Sequence, residues 1–189
     1  MPVEFDEETL RLVSANERVL RAWPGANGTN EAVERLIRGA FVALAQSPLL
    51  RVEFSWDDGD CVVMNYKYVW CFASDGRGIL RNDSSTREEI GLLVTASLLL
   101  PIAVWAQGFR SRGPSGTSAS GHDGLSGVYV PPSGGWGDVI GEVERVLRES
   151  GLSLPAKDDL LKSLVDGVRR FPTCPEEETL FAALHWWND

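Results

Sequence analysis

Apolar side chains recur at helical spacing most clearly between residues 33 and 44. Val33, Leu36, Ile37, Ala40, Phe41 and Leu44 fall at i, i+3, i+4, i+7, i+8 and i+11, which predicts an amphipathic helix with one buried stripe. It should end by Ser47-Pro48, because the residue before a proline is driven out of the helical region. An earlier helix is expected over residues 6–23, with Asp6, Glu7 and Glu8 in the opening turn, where the helix dipole favours negative charge, and Pro24-Gly25 closing it. After Pro48 the period drops to two. Val52, Phe54 and Trp56 alternate with Arg51, Glu53 and Ser55, the pattern of a half-buried strand. Asp57-Asp-Gly-Asp60 carries Asp-Gly turn chemistry, and the return strand puts Val62, Met64, Tyr66, Tyr68, Trp70 and Phe72 on one face. Asp75-Gly-Arg-Gly78 makes a second turn, followed by a short strand at residues 79–81.

Residues 90–109 carry no charge and include Leu98-Leu99-Leu100. Their length matches the ~20 residues that span a bilayer, but Thr95, Ser97, Pro101 and Gln107 interrupt them. The reading adopted is a buried central helix, opened by the capping-box sequence Ser85-Thr-Arg-Glu88 and bent or split at Pro101. Residues 110–127 are rich in Gly and Ser and too poor in apolar side chains to offset the entropy of ordering them, so a mobile loop is expected. Val128-Tyr-Val130 reads as a last short strand, and helices are expected over residues 138–149, 157–171 and 175–187. The whole is expected to be a single α+β domain over residues 1–189. Its predicted architecture is a three- or four-stranded antiparallel sheet packed against helices, including the buried apolar central helix.

Charge narrows the partners. With 27 acidic against 18 basic side chains the net charge is −9 and the pI about 4.8. That argues against wholesale binding to nucleic acid or to an anionic membrane. The negative charge lies toward the two ends. Residues 1–60 hold 11 acidic and 6 basic side chains, residues 61–135 hold 5 and 6, and residues 136–189 hold 11 and 6. Helices from the two ends, folded onto one side of a sheet, would present an acidic surface to a basic partner. Cys61, Cys71 and Cys174 are odd in number and lack metal-ligand spacing, which suits a reducing compartment. The N-terminus is acidic where a secretory leader must be basic, so a cytoplasmic location is expected.

Catalytic chemistry finds little support. Cys174 precedes Pro175 at the start of an expected helix, a place where a thiol can be activated, but Glu176, Glu177 and Glu178 disfavour the thiolate. His185 would lie roughly 16 Å farther along that helix, at ~1.5 Å per residue. His122-Asp123 is an isolated pair without clustered ligands, and the aspartates around Gly59 lack the bidentate glutamate of a calcium loop. Gly134-Gly-Trp-Gly137 and Gly76-Arg-Gly78 lack the strand, loop and helix context of a phosphate cradle. No catalytic residue, metal or cofactor is therefore expected. The tryptophans are more suggestive. Adjacent helical residues point ~100° apart, so Trp186 and Trp187 cannot both face one core easily, and Trp136 after a glycine pair is another candidate for an exposed anchor.

The closing segment Thr179-Leu-Phe-Ala-Ala-Leu-His-Trp-Trp-Asn-Asp189, with the aromatic strand and the acidic helices, resembles small immunity proteins of bacterial polymorphic-toxin systems. The resemblance implies an acidic, cytoplasmic, non-catalytic protein that plugs the active site of a cognate toxin. On that expectation the partner is a basic toxin domain, and the contact candidates are Asp57, Asp58 and Asp60 on the hairpin tip together with Trp136, Trp186 and Trp187. Buried aromatics ringed by polar groups are where such interfaces concentrate energy. Two rivals share parts of the pattern. A secretion chaperone or adaptor would bind an unfolded segment along a sheet edge, and a hydrolase would need Cys174, His122 or the hairpin carboxylates to converge in one pocket.

Overall fold

The computed structural model describes residues 3–23, 29–54, 66–113, 118–122, 124–163 and 179–184. Helix α1 (Glu7–Ser14) starts at Asp6, whose carboxylate accepts from the Thr9 backbone N–H at 2.7 Å. The helix expected to reach residue 23 stops well short of it. Asn16 adopts a left-handed conformation (φ 60°), and only a 3-10 turn at Leu20–Ala22 follows. Helix α2 (Asn30–Ala45) forms where the periodicity placed it, with the Thr29 side chain capping the Ala32 N–H. Its stripe of Val33, Ile37, Ala40, Phe41 and Leu44 is fully buried.

Among the described residues six strands make one antiparallel sheet: β1 (Leu50–Phe54), β2 (Tyr66–Ala73), β3 (Ile79–Asn82), β4 (Arg87–Ser97), β5 (Ala103–Arg112) and β6 (Ser118–His122). The order is β1-β2-β4-β5-β6, with β3 paired to the start of β4 beside the end of β2. The α+β class is as expected, but a sheet of three or four strands is not what forms.

The largest departure is the charge-free segment. Residues 90–109 are not a central helix; they are most of β4 and β5, the two middle strands, joined through Leu98–Ile102. Ser97 Oγ accepts from the Leu99 N–H at 3.0 Å in this turn, and Pro101 lies within it. The capping-box residues instead shape a turn, in which the Asp83 carboxylate accepts from the N–H groups of Ser85 and Thr86 at 2.8 Å. The physical reason is two-sided burial. Leu92, Val94 and Ala96 face α2 and α4 (Gly137–Glu149), while Leu93 packs with Trp70 and Phe72 behind the sheet. A strand buried on both faces loses its apolar–polar alternation and reads like a helix buried all round. Among the described residues no helix is long and apolar enough to cross a membrane.

The expected loop also contains structure. Arg110–Arg112 end β5, Ser118–His122 pair with them as β6, and α3 (Gly124–Gly127) follows. Val128 makes a single bridge to Ala106 rather than a strand of three residues. The helix expected over residues 157–171 begins as α5 (Lys157–Leu160) and has ended by Ser163, which bridges Thr179; of the helix expected over residues 175–187, Leu180–Leu184 are helical (α6).

The main core lies between the sheet and helices α2 and α4, where Val69, Cys71, Val94 and Trp105 meet Phe41, Val143 and Leu147. A second cluster joins α1 and α6 to the β4–β5 turn through Val13, Leu100, Ile102, Leu180 and Leu184. Phe181 and Leu160 pack against Val104 and Ala106 on the sheet's other face. That leaves the opposite end of this face to a different chemistry.

Candidate functional site

Directly paired residues of neighbouring strands share a face. The register Arg51↔Phe72, Glu53↔Trp70, Trp70↔Leu93, Glu89↔Arg110, Arg87↔Arg112 and Gly91↔Gly108 therefore gathers these side chains on the face turned away from α2 and α4. His122 and Ser120 of β6 join the same face, opposite Gly108 and Arg110.

Aromatic rings make the floor. Trp70 and Phe72 are stacked, with centroids 6.0 Å apart and planes at 16°, and both are buried. They lie this close to the sheet because glycines stand beneath them. A Cβ on Gly91 would come within 2.8 Å of the Phe72 ring, and one on Gly108 within 2.7 Å of the Trp70 ring, which reaches across β4 to β5. The Arg51 guanidinium sits over Phe72 at 4.3 Å from the ring centroid, a contact worth about 0.5–1 kcal/mol.

Above this floor, four arginines share two carboxylates. Glu89 accepts from Arg87 Nη2 at 2.6 Å through one oxygen and from Arg51 Nη2 at 2.6 Å through the other. Glu53 accepts from Arg51 through one oxygen and from both Arg110 Nη1 (2.7 Å) and Arg112 through the other. The chain Arg87–Glu89–Arg51–Glu53–(Arg110, Arg112) thus spans β1, β4 and β5. Burial pushes the Glu89 carboxyl up, but hydrogen bonds and attraction from Arg87 and Arg51 outweigh that and hold it below the usual carboxylate range. The same pairing with Glu89 raises Arg87 above its ordinary value. Exposure is greatest at the two ends of this run of contacts, which the pairing of Arg87 with Arg112 brings side by side: the Glu89 side chain is 9% accessible, whereas Arg87 and Arg112 are 40% and 47% accessible.

The cluster carries four positive and two negative charges, a net +2, so the rest of the chain carries −11 of the total −9. Arginine stays protonated throughout the accessible pH range and offers a fixed fork of donors. Such an array can hold, orient and neutralise an acidic group.

The residues singled out by sequence fare differently. Trp136, expected as an exposed anchor, is 3% accessible; it packs in the main core against Gly78, where a Cβ would come within 3.1 Å of its ring. The glycine pair before it lets the chain turn inward, with Gly134 and Gly135 both at positive φ. Asp57, Asp58, Asp60, Trp186 and Trp187 lie outside the described residues, as do Cys61, Cys174, His185 and Asp123. Cys71 is wholly buried, and burial pushes its thiol far up, so it is no nucleophile at neutral pH. Among the described residues no group of His, Cys, Asp or Glu is placed to hold a metal ion. The network itself was missed. Its trace is present in the sequence as three charged pairs at i, i+2 spacing, Arg51/Glu53, Arg87/Glu89 and Arg110/Arg112. Only the first stood in a segment read as a strand.

No family model, curated protein or solved structure matches the chain.

Proposed function

We propose that this chain is a non-catalytic binding protein of the immunity type, which neutralises a basic bacterial toxin domain by covering its active site. The observation that carries the reading is the division of charge. A rigid sheet face holds a net +2 cluster of arginines, while the remaining chain, at −11, supplies a field attractive to a basic partner. Fields of this kind accelerate encounter, and permanently charged arginines set on paired strands fix register once contact is made. Proton-transfer catalysis would want a group that titrates near neutrality. Within the arginine–glutamate network the most buried carboxylate is held below the usual range, and His122, on the same face, stands on β6 opposite Gly108.

The test is co-expression with any basic polypeptide found encoded beside it in the native host. Expected are relief of that polypeptide's toxicity and a stable complex of the two purified chains. A purified pair that neither associates nor relieves toxicity, or a chain that turns over a substrate on its own, would overturn the proposal.

A further inference from the structure

We propose that the Arg87–Arg112 end of the network is a binding site for a dianionic phosphate group. This stands apart from the toxin-neutralising reading and holds or fails without it. Arg87 and Arg112 are direct cross-strand partners on one face, and like charges placed opposite one another destabilise a sheet pair. Relief from within the cluster is incomplete, because only two carboxylates serve four guanidiniums. Donors, by contrast, are in surplus. Each guanidinium carries about five N–H groups, and Arg87 Nε is buried with no hydrogen-bond partner among the described residues. An anion seated on the partly exposed Arg87 and Arg112 side chains would relieve the repulsion between them.

The charge selects the class of ligand. The cluster's excess of +2 is matched by a phosphate group, which carries ≈ −1.5 to −2 at neutral pH and three strong acceptor oxygens, whereas a carboxylate brings one charge. Arg110, 23% accessible and two residues before Arg112 on the same face, supplies a third cation beside the gap. Access is open, since the side chains of Arg87 and Arg112 are both partly exposed.

The full chain is titrated at constant ionic strength with inorganic phosphate, with phenyl phosphate and with acetate, by calorimetry and by following the arginine Nε–Hε resonances in nitrogen-15 spectra. Expected is saturable one-to-one binding of inorganic phosphate that shifts the Arg87 Nε–Hε signal, with acetate at least tenfold weaker. Equal binding of phenyl phosphate would identify an esterified phosphate as an admissible source; its exclusion would restrict the site to the free ion. Arg112→Gln should weaken phosphate binding at least tenfold, and Arg145→Gln, which alters a separate ion pair on α4, should leave it unchanged. Arg112 is the more exposed of the pair, so its variant keeps the test clear of folding defects, checked by an unchanged thermal transition. Non-saturable titration, acetate binding as well as phosphate, or an undiminished response in Arg112→Gln would each overturn the proposal.

Discussion

Glu89 holds two arginines apart and together at once. Its side chain is 9% accessible, accepts from Arg87 and Arg51 through separate oxygens, and has its carboxyl held below the usual range. A carboxyl with a lowered folded value contributes stability that is fully present above its unfolded value, about 4.5, and is lost as the pH falls through the lower folded value. Glu89→Gln should therefore cost roughly 2 kcal/mol at pH 7, because it strands the Arg87 guanidinium and leaves Arg51 with Glu53 alone. For a chain of this size that lowers the melting temperature by roughly 4–8 °C. The gap between variant and parent should narrow below pH 4.5, since the protonated parent resembles the amide. Parallel melting curves from pH 7 down to pH 3 would show that the ionised form of Glu89 contributes nothing.

The sheet presents the network because its middle strands are bare where the rings must lie. Gly91 and Gly108 are cross-strand partners, and the Phe72 and Trp70 rings occupy the space their side chains would fill. Gly108→Ala forces both the Trp70 ring and the Gly121 carbonyl to move, at 2.7 and 2.8 Å from the added Cβ. The expected cost is about 1–3 kcal/mol, as for other overpacked sites, with a loss of near-ultraviolet signal from the displaced indole. Gly141, inside α4 with nothing within 4 Å of an added Cβ, supplies the contrast. Gly141→Ala should stabilise the protein by about 1 kcal/mol through helix propensity alone. Urea midpoints moving in opposite directions for these two variants would bear out the account; a neutral Gly108→Ala would remove the glycines from it.

Across the whole molecule, charge is divided between the +2 sheet-face cluster and −11 elsewhere. If the acidic exterior steers a basic partner, reversing Asp57, Asp58 and Asp60 to lysine should slow association with that partner roughly tenfold at low salt and flatten its salt dependence. An unchanged association rate would place the steering charges in the other acidic segments. The same scale explains how much of the site was legible beforehand. Arg51 and Glu53 alternate with Val52 and Phe54 in a segment whose period was plain. Arg87, Glu89, Arg110 and Arg112 stood in segments read as a helix opening and a loop, so their i, i+2 spacing carried no meaning until β4 and β5 were paired. Trp136 was misread for a related reason: a glycine-flanked indole suggests exposure until the chain is seen to turn it under β3.

Local sequence was sufficient for the start of α1 near its acidic first turn, for α2 with its single apolar stripe, for the span of α4, for β1, and for the α+β class. One-sided burial writes a period into the chain, and capping and turn chemistry act over three or four residues. Tertiary structure alone decided that the uncharged middle of the chain becomes the two central strands, and that four arginines from three strands meet over two stacked rings. Burial on both faces erases the period. The meeting of charges depends on strand register, which is set by pairing between residues up to 31 positions apart.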